Sequence, residues 1–176
     1  MSLVNLANRV GDVLRRHGVK YSDEEVARLA GALGALGFRN AVEVLDCVLD
    51  PECLRYGPES RVPIKNAFID VFGYEALVKA QLWTLLDRYG LAGLLNLDEV
   101  YRAYQEVVYW FRHAMPGRVV YGKTLAKAAI ALVIIKHSAE FGLGGRAVRE
   151  LVDLLGWGRA VKLLEELRLL DGSKGF

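Results

Sequence analysis

The chain has 176 residues, of which 53% are apolar and 25% are charged, and its formal net charge is +2. A chain of this length buries a sizeable core in about one domain, so its fold needs no framework of metals or disulfides. Its near neutrality excludes a uniformly basic or acidic protein, so a charged binding surface would have to arise from uneven charge along the chain.

Three helices are predicted in the first 50 residues. Apolar residues recur every three or four positions over residues 3 to 17, and Gly18 ends this first helix. Ser22 and Glu25 form a capping box at the start of the second helix, because each side chain satisfies a free backbone donor of the other. The third helix covers residues 40 to 49. The second helix contains glycines that cost helix stability, so we expect it to fray there, with either a bend or a closely packed neighbouring backbone, at Gly31, Gly34 and Gly37.

Residues 51 to 63 are the one convincing internal linker, since they hold three prolines and a glycine. We interpret the chain as a single domain over residues 1 to 176. A division into residues 1 to 50 and residues 64 to 176, on either side of this linker, is the open alternative.

Three further helices are predicted after the linker. Apolar spacing indicates a short helix over residues 64 to 72 and a longer one over residues 74 to 89, ended by Gly90. Asn96, with Glu99 three positions later, is suited to cap the next helix, which ends before Pro116.

Residues 124 to 139 are expected to form the central helix of the fold. Ten of the eleven residues from 125 to 135 are apolar, so this helix would have almost no solvated face. The apolar run between Lys123 and Lys136 has 12 residues, short of the roughly 17 to 25 that cross a bilayer. We therefore expect protein rather than lipid to enclose it.

The fold class predicted from these patterns is all-α, a bundle of about eight helices around the helix at residues 124 to 139. A glycine-rich break follows this helix, at Gly142, Gly144 and Gly145. Beyond it we expect a helix over residues 146 to 155, a Gly-Trp-Gly turn and a last helix that extends to Leu170.

The segment RAVRELVDLLGWGRAVKLLEELRLL, residues 146 to 170, has the helix, glycine turn and helix of a helix-turn-helix motif. Together with GKTLAKAAIALVIIKH before it, this stretch resembles the second half of a cyclin-like repeat in archaeal transcription initiation factor B. The resemblance covers residues 122 to 170 and implies an archaeal DNA-binding protein whose last helix enters the major groove. Spacing predicts that this helix turns five charged residues outward, namely Arg159, Lys162, Glu165, Glu166 and Arg168.

Residues 112 to 162 hold 9 Lys and Arg against 3 Asp and Glu, although the protein as a whole is nearly neutral. A basic block within a mildly acidic chain suggests a polyanion partner, DNA or RNA, bound through its phosphates. The alternative to a binding surface is a solvated helical surface that happens to be rich in Arg and Lys. The residues expected to contact phosphates are Arg112, Arg118, Lys123, Lys127, Arg146, Arg149, Arg159 and Lys162.

Four aromatic residues lie within or beside this basic block. Their side chains are suited to stack on unpaired bases, although Trp and Tyr at helical spacing more often pack into a core. We favour the core for them and keep base stacking as the alternative, for Tyr109, Trp110, Tyr121 and Trp157.

Residues 117 to 124, GRVVYGKT, match the phosphate-binding loop pattern GxxxxGK[ST], in which Gly117, Gly122, Lys123 and Thr124 would hold a nucleotide. Such a loop follows a buried strand, however, and the residues after it are predicted to be helical. We therefore place nucleotide binding below the alternative, in which Gly122 forms a turn and Thr124 caps the central helix.

No metal, cofactor or catalytic site is predicted. The three histidines, His17, His113 and His137, are far apart and belong to no metal-binding motif, and no serine lies in a hydrolase motif. We expect Cys47 and Cys53 to be buried free thiols, with a disulfide as the open alternative, because proteins of hyperthermophiles contain disulfides in the cytosol.

The composition and the N-terminus bear on the source and location of the protein. Few Asn and Gln beside many charged residues are typical of a protein from a hot environment. The N-terminus lacks the basic and apolar regions of a signal peptide, so we expect a cytoplasmic protein without a membrane segment.

The leading hypothesis is a non-enzymatic protein that binds nucleic acid within a larger assembly. The alternative is an interaction subunit or homodimer whose C-terminal leucine-rich helix joins partners. The all-α character with a basic face is similar to that of small helical subunits of CRISPR effector complexes, and VVYWFRH followed by KTL looks like a stretch in some of them.

Overall fold

The computed structural model describes residues 2–138, 140, 142 and 144–170. These residues form nine helices and no strand, which confirms the predicted all-α class. The helices are α1 (Leu3–Arg16), α2 (Asp23–Leu36), α3 (Ala41–Val48), α4 (Pro58–Phe72), α5 (Tyr74–Arg88), α6 (Leu97–Ala114), α7 (Gly122–Lys136), α8 (Gly145–Leu154) and α9 (Gly158–Glu166).

Polar caps start several of these helices where the sequence predicts them. The Glu25 amide donates to Ser22 Oγ at 3.1 Å, and the Ser22 amide donates to Glu25 Oε1 at 2.9 Å, which confirms the capping box. The Glu99 amide donates to Asn96 Oδ1 at 3.0 Å in the same manner. Each cap satisfies a donor that has no partner inside its helix.

Helix α2 continues without a break through Gly31 and Gly34 and ends at Gly37, whose φ is +72°. The expected fraying is therefore wrong. Each interior glycine costs a helix up to about 1 kcal/mol relative to alanine. Burial of one face of α2, which includes Leu29 and Leu33, offsets that cost, since tertiary packing stabilises most protein helices.

The predicted linker is shorter than expected, because α4 begins at Pro58 and contains Pro63. Proline is favoured in the first turn of a helix, where its missing N–H would have had no partner. Pro63 removes one hydrogen bond inside the helix, and complete burial of Ile64 and Phe68 offsets that loss.

The expectation of free thiols is wrong, because Cys47 and Cys53 form a disulfide. Turns after α3 bring the two cysteines together, as the Asp50 amide donates to the Cys47 carbonyl and the Cys53 amide to the Asp50 carbonyl, both at 3.1 Å. The Cα atoms are 5.3 Å apart, within the range that a disulfide spans.

Two compact units divide the chain, Met1–Leu85 and Leu86–Phe176, here called unit 1 and unit 2. The division falls inside α5 and not at the proline-rich segment. Unit 1 has its own core, in which α1 packs on α2 and α3, and α4 packs on α2 and α3. Its largest fully buried side chains include Leu14, Leu29, Leu33, Leu45 and Phe68.

Unit 2 is organised around α7, which contacts α6, α8 and α9. Every residue from 128 to 134 is buried, so the predicted burial on nearly all sides is confirmed for this helix. The helix ends at Lys136, and the expected last residue, Ala139, lies outside the described residues. In the described part of the chain, no helix combines the length and apolarity needed to cross a bilayer.

Helices α8 and α9 are joined by the predicted glycine turn. Gly156 has a φ of +73°, and the Trp157 amide donates to the Val152 carbonyl at 3.1 Å, which closes α8. The last helix ends at Glu166 and not at Leu170. Arg168 adopts a φ of 59°, which turns the chain back and buries Leu169, whose amide bonds the Leu164 carbonyl at 3.0 Å.

Candidate nucleic-acid interface

Three of the eight predicted phosphate-contacting residues line one cleft in unit 2. The cleft lies between the loop after α6, the first turn of α7 and the outer face of α9, and has a volume of about 290 Å³. We call it the basic cleft. Its lining residues are Arg118, Val119, Val120, Tyr121, Thr124, Arg159, Lys162, Leu163 and Glu166.

The period of α9 determines which of its residues reach the cleft. Ala160, Leu163 and Leu164 are buried, and α9 packs on α7. The predicted outward residues are all exposed, and they are Arg159, Lys162, Glu165, Glu166 and Arg168. The buried leucines are those on which the assembly hypothesis depends, so α9 uses its apolar face inside unit 2.

A salt bridge holds the loop after α6 against α9. Gly117 turns the chain at a φ of +81°, a conformation that favours glycine. The next residue, Arg118, donates from Nη1 to Glu166 Oε2 at 2.8 Å. The pair is partly exposed, so we expect it to position the loop while contributing at most about 1 kcal/mol to stability.

The cleft keeps an excess of positive charge. Its charged groups are Arg118, Arg159 and Lys162, with three positive charges, and Glu166, with one negative charge, which leaves +2. Glu166 is paired with Arg118. Within the described residues, no carboxylate lies within 4.0 Å of the cationic nitrogens of Arg159 or Lys162. These two cations are therefore available to an anion.

The N-terminus of α7 lies at the same cleft. Tyr121 is the cap residue of this helix and Thr124 is in its first turn, and both line the cleft. The amides of Gly122 and Lys123 have no carbonyl partner inside the helix, because they belong to its first turn. Free amides and the helix dipole favour a negative charge at this end.

The other five predicted cations do not line the cleft. Arg146 Nε lies 3.5 Å from Glu150 Oε1, and Arg149 Nη2 lies 3.9 Å from Glu165 Oε1. Arg112 is exposed on α6. Two lysines lie over tyrosine rings. Lys123 Nζ is 5.7 Å from the centre of the Tyr121 ring, and Lys127 Nζ is 5.9 Å from the centre of the Tyr89 ring. Carboxylates of unit 2 thus offset part of the predicted basic face.

The aromatic residues separate into core and surface. Trp157 is 1% exposed and packs edge to face on Tyr89 at 5.1 Å, so the core interpretation is confirmed for it. Tyr121 is 66% exposed on the wall of the cleft, and Tyr109 is 53% exposed on α6, where it contacts the half-buried Trp110. Tyr121 is therefore the one of these four aromatic residues that lines the cleft.

The residues that match the phosphate-binding loop connect α6 and α7. No strand precedes them in the part of the chain that the structure describes, so the strand, loop and helix that hold a nucleotide are not formed there. The cap of α7 is Tyr121, without a side-chain cap bond. The expectation that Thr124 caps this helix is wrong, because Gly122 and Lys123 already belong to it.

Unit 1 contains a buried polar chain that sequence patterns did not predict. His17 Nδ1 lies 2.6 Å from Thr84 Oγ1, and His17 Nε2 lies 2.7 Å from Asp46 Oδ1. The Thr84 hydroxyl donates to the Ala80 carbonyl at 2.7 Å, so its oxygen accepts from His17 Nδ1–H. Both His17 and Thr84 are nearly completely buried, so this hydroxyl, imidazole and carboxylate link the end of α1 to α3 and α5.

His137 follows α7 and contacts two carboxylates of unit 2. Its Nε2 hydrogen-bonds Glu99 in the first turn of α6, and its Nδ1 lies 3.0 Å from Glu140 Oε1. The hydrogen bond to Glu140 and then that to Glu99 raise the pKa of His137 above its ordinary value. Among the described residues, no three His, Cys, Asp or Glu side chains are grouped to hold a metal ion.

Comparison of the whole chain with protein-family models, with curated proteins and with solved structures finds no match in any of the three.

Proposed function

We propose that the protein is a non-enzymatic nucleic-acid-binding protein that holds the phosphate backbone of DNA or RNA in the basic cleft. The main support is that one cleft of unit 2 is lined by Arg118, Arg159 and Lys162. These residues lie up to 44 positions apart in the sequence. Two of these cations have no carboxylate partner among the described residues, so a phosphate group would complete the arrangement.

The chemistry of the cleft suits phosphate. Arginine donates several N–H groups in a planar fork that matches phosphate oxygens, and lysine adds a point charge. The N-terminus of α7, whose Tyr121 and Thr124 line the cleft, adds the positive end of a helix dipole. Few phosphates fit a cleft of about 290 Å³, so we expect a modest affinity that falls only moderately as the salt concentration rises.

The surface of α9 favours single strands over sequence-specific duplex binding. Glu165 and Glu166 share its exposed face with Arg159 and Lys162, and carboxylates there oppose a close approach of duplex phosphates. That face has no Asn or Gln, the side chains that pair with adenine in the major groove. Tyr121, exposed beside the cleft, provides a ring on which an unpaired base stacks.

Binding of a fluorescent single-stranded oligonucleotide at low salt tests this function. The variant R159A/K162A removes the two available cations from exposed positions, so the fold should be retained and affinity should fall at least about tenfold. The matched control K20A/R39A removes one lysine and one arginine from exposed positions of unit 1. Equal binding by the two double variants, or no binding by the wild-type protein, would refute the proposed function.

A further inference from the structure

An apolar groove runs between α2 and α4 in unit 1, with a volume of about 550 Å³. Its apolar lining includes Ala32 and Leu36 from α2, and Pro63 and Val71 from α4. Leu36 is 38% exposed, although most leucines of this unit are buried. The groove is therefore an accessible apolar surface, a type of surface that marks interaction sites.

Charges of opposite sign stand on the two walls of the groove. Arg28 lies on the α2 wall and Asp70 on the α4 wall, and both are exposed. Neither has an ion-pair partner among the residues that the structure describes. The groove thus carries one unmatched positive charge and one unmatched negative charge.

We propose that a second copy of this chain docks on the α2 and α4 groove as a symmetric dimer. A two-fold axis lying in the plane of this face, on the perpendicular bisector of the line from Arg28 to Asp70, places each residue opposite the other residue of the second copy. One groove therefore supplies both partners of two intermolecular ion pairs, as an isologous interface requires.

Light scattering over a range of protein concentrations measures this dimer directly. Wild-type protein should change from the mass of one chain, 19.5 kDa, to twice that mass as concentration rises. The variants R28D and D70R should each weaken dimerisation at least about tenfold, because each creates two like-charged pairs in the interface. The double variant R28D/D70R restores opposite charges and should dimerise as the wild-type protein does.

The charge exchange separates loss of the interface from loss of the fold, because R28D/D70R should recover the dimer that each single variant weakens. A constant monomer mass in the wild-type protein would overturn the proposal. A dimer that R28D and D70R both leave unchanged would overturn it as well, because another face would then form the dimer.

Discussion

Arg118 Nη1 lies 2.8 Å from Glu166 Oε2, which joins the loop after α6 to the last turn of α9 across 48 positions of sequence. This salt bridge positions one wall of the basic cleft, and it also reduces the positive charge of the cleft. Glu166 is therefore both a support for the site and an internal competitor of a bound phosphate.

Glu166→Gln should bind a single-stranded oligonucleotide more tightly than the wild-type protein. The substitution keeps a hydrogen-bond acceptor for Arg118 while it removes the negative charge, which is worth about 1 kcal/mol, or roughly fivefold in affinity, near a protein surface. Fluorescence anisotropy at low salt measures the change, and the gain should shrink as salt is added. Glu150→Gln is the control, since its partner Arg146 does not line the cleft. An unchanged affinity of Glu166→Gln would contradict this role of the carboxylate.

Reduction of the Cys47–Cys53 disulfide should lower the free energy of unfolding by about 2 kcal/mol, since it releases a short closed loop in the unfolded chain. Chemical denaturation of the wild-type protein with and without a reductant measures the difference. The variant C47S/C53S should match the reduced protein and should not respond to the reductant. Equal denaturation midpoints for the oxidised and reduced wild-type protein would argue against a stabilising disulfide.

Thr84→Val should destabilise unit 1 by about 1 to 3 kcal/mol, because it leaves the Nδ1–H of the buried His17 without an acceptor. Valine has nearly the shape of threonine, so the loss reports the hydrogen bond more than the packing. Thermal or chemical denaturation measures it, with Thr124→Val, at a half-buried position, as the matched control. If Thr84→Val and Thr124→Val lower the free energy of unfolding by the same amount, the hydrogen bond from His17 to Thr84 has no special role in stability.

His137 should make folding depend on pH near neutrality. Its pKa is raised in the folded protein above the ordinary value of 6.5, so the protonated ring favours the folded state. This stabilisation is fully present below the unfolded pKa and is lost as pH rises through the folded pKa. An NMR titration of the ring protons should give a lower pKa in Glu140→Gln than in the wild-type protein. A pKa that does not fall in this variant would show that Glu140 is not the main cause.

Local patterns predicted the helices well, because the signals for starting and ending a helix lie within a few residues. The Ser22 and Glu25 capping box, the glycine after α2 and the apolar run of α7 all depend on neighbours in the sequence. Local preference predicts that Pro63 lies outside a helix, because proline is unfavourable in a helix interior. Burial of Ile64 and Phe68 in unit 1 reverses that preference, and burial depends on the tertiary structure.

The candidate site was predictable only in part for the same reason. The apolar residues of α9 recur every three or four positions, and this period predicts that Arg159 and Lys162 face outward. The carboxylate partners of the cations do not follow from local patterns. Glu166 pairs with Arg118, 48 positions away, and Glu165 of α9 lies near Arg149 of α8. The His17 and Asp46 contact joins residues 29 positions apart, with no sequence motif to indicate it.

The salt dependence of oligonucleotide binding tests the central claim most directly, because it counts the phosphates that the basic cleft neutralises. Each contact to a single strand contributes about −0.7 to the slope of log K against log salt concentration. We expect R159A/K162A to make the wild-type slope shallower by about 1.4, and K20A/R39A to leave it unchanged. Equal slopes for the wild-type protein and R159A/K162A would contradict the assignment of the basic cleft as the phosphate-binding site.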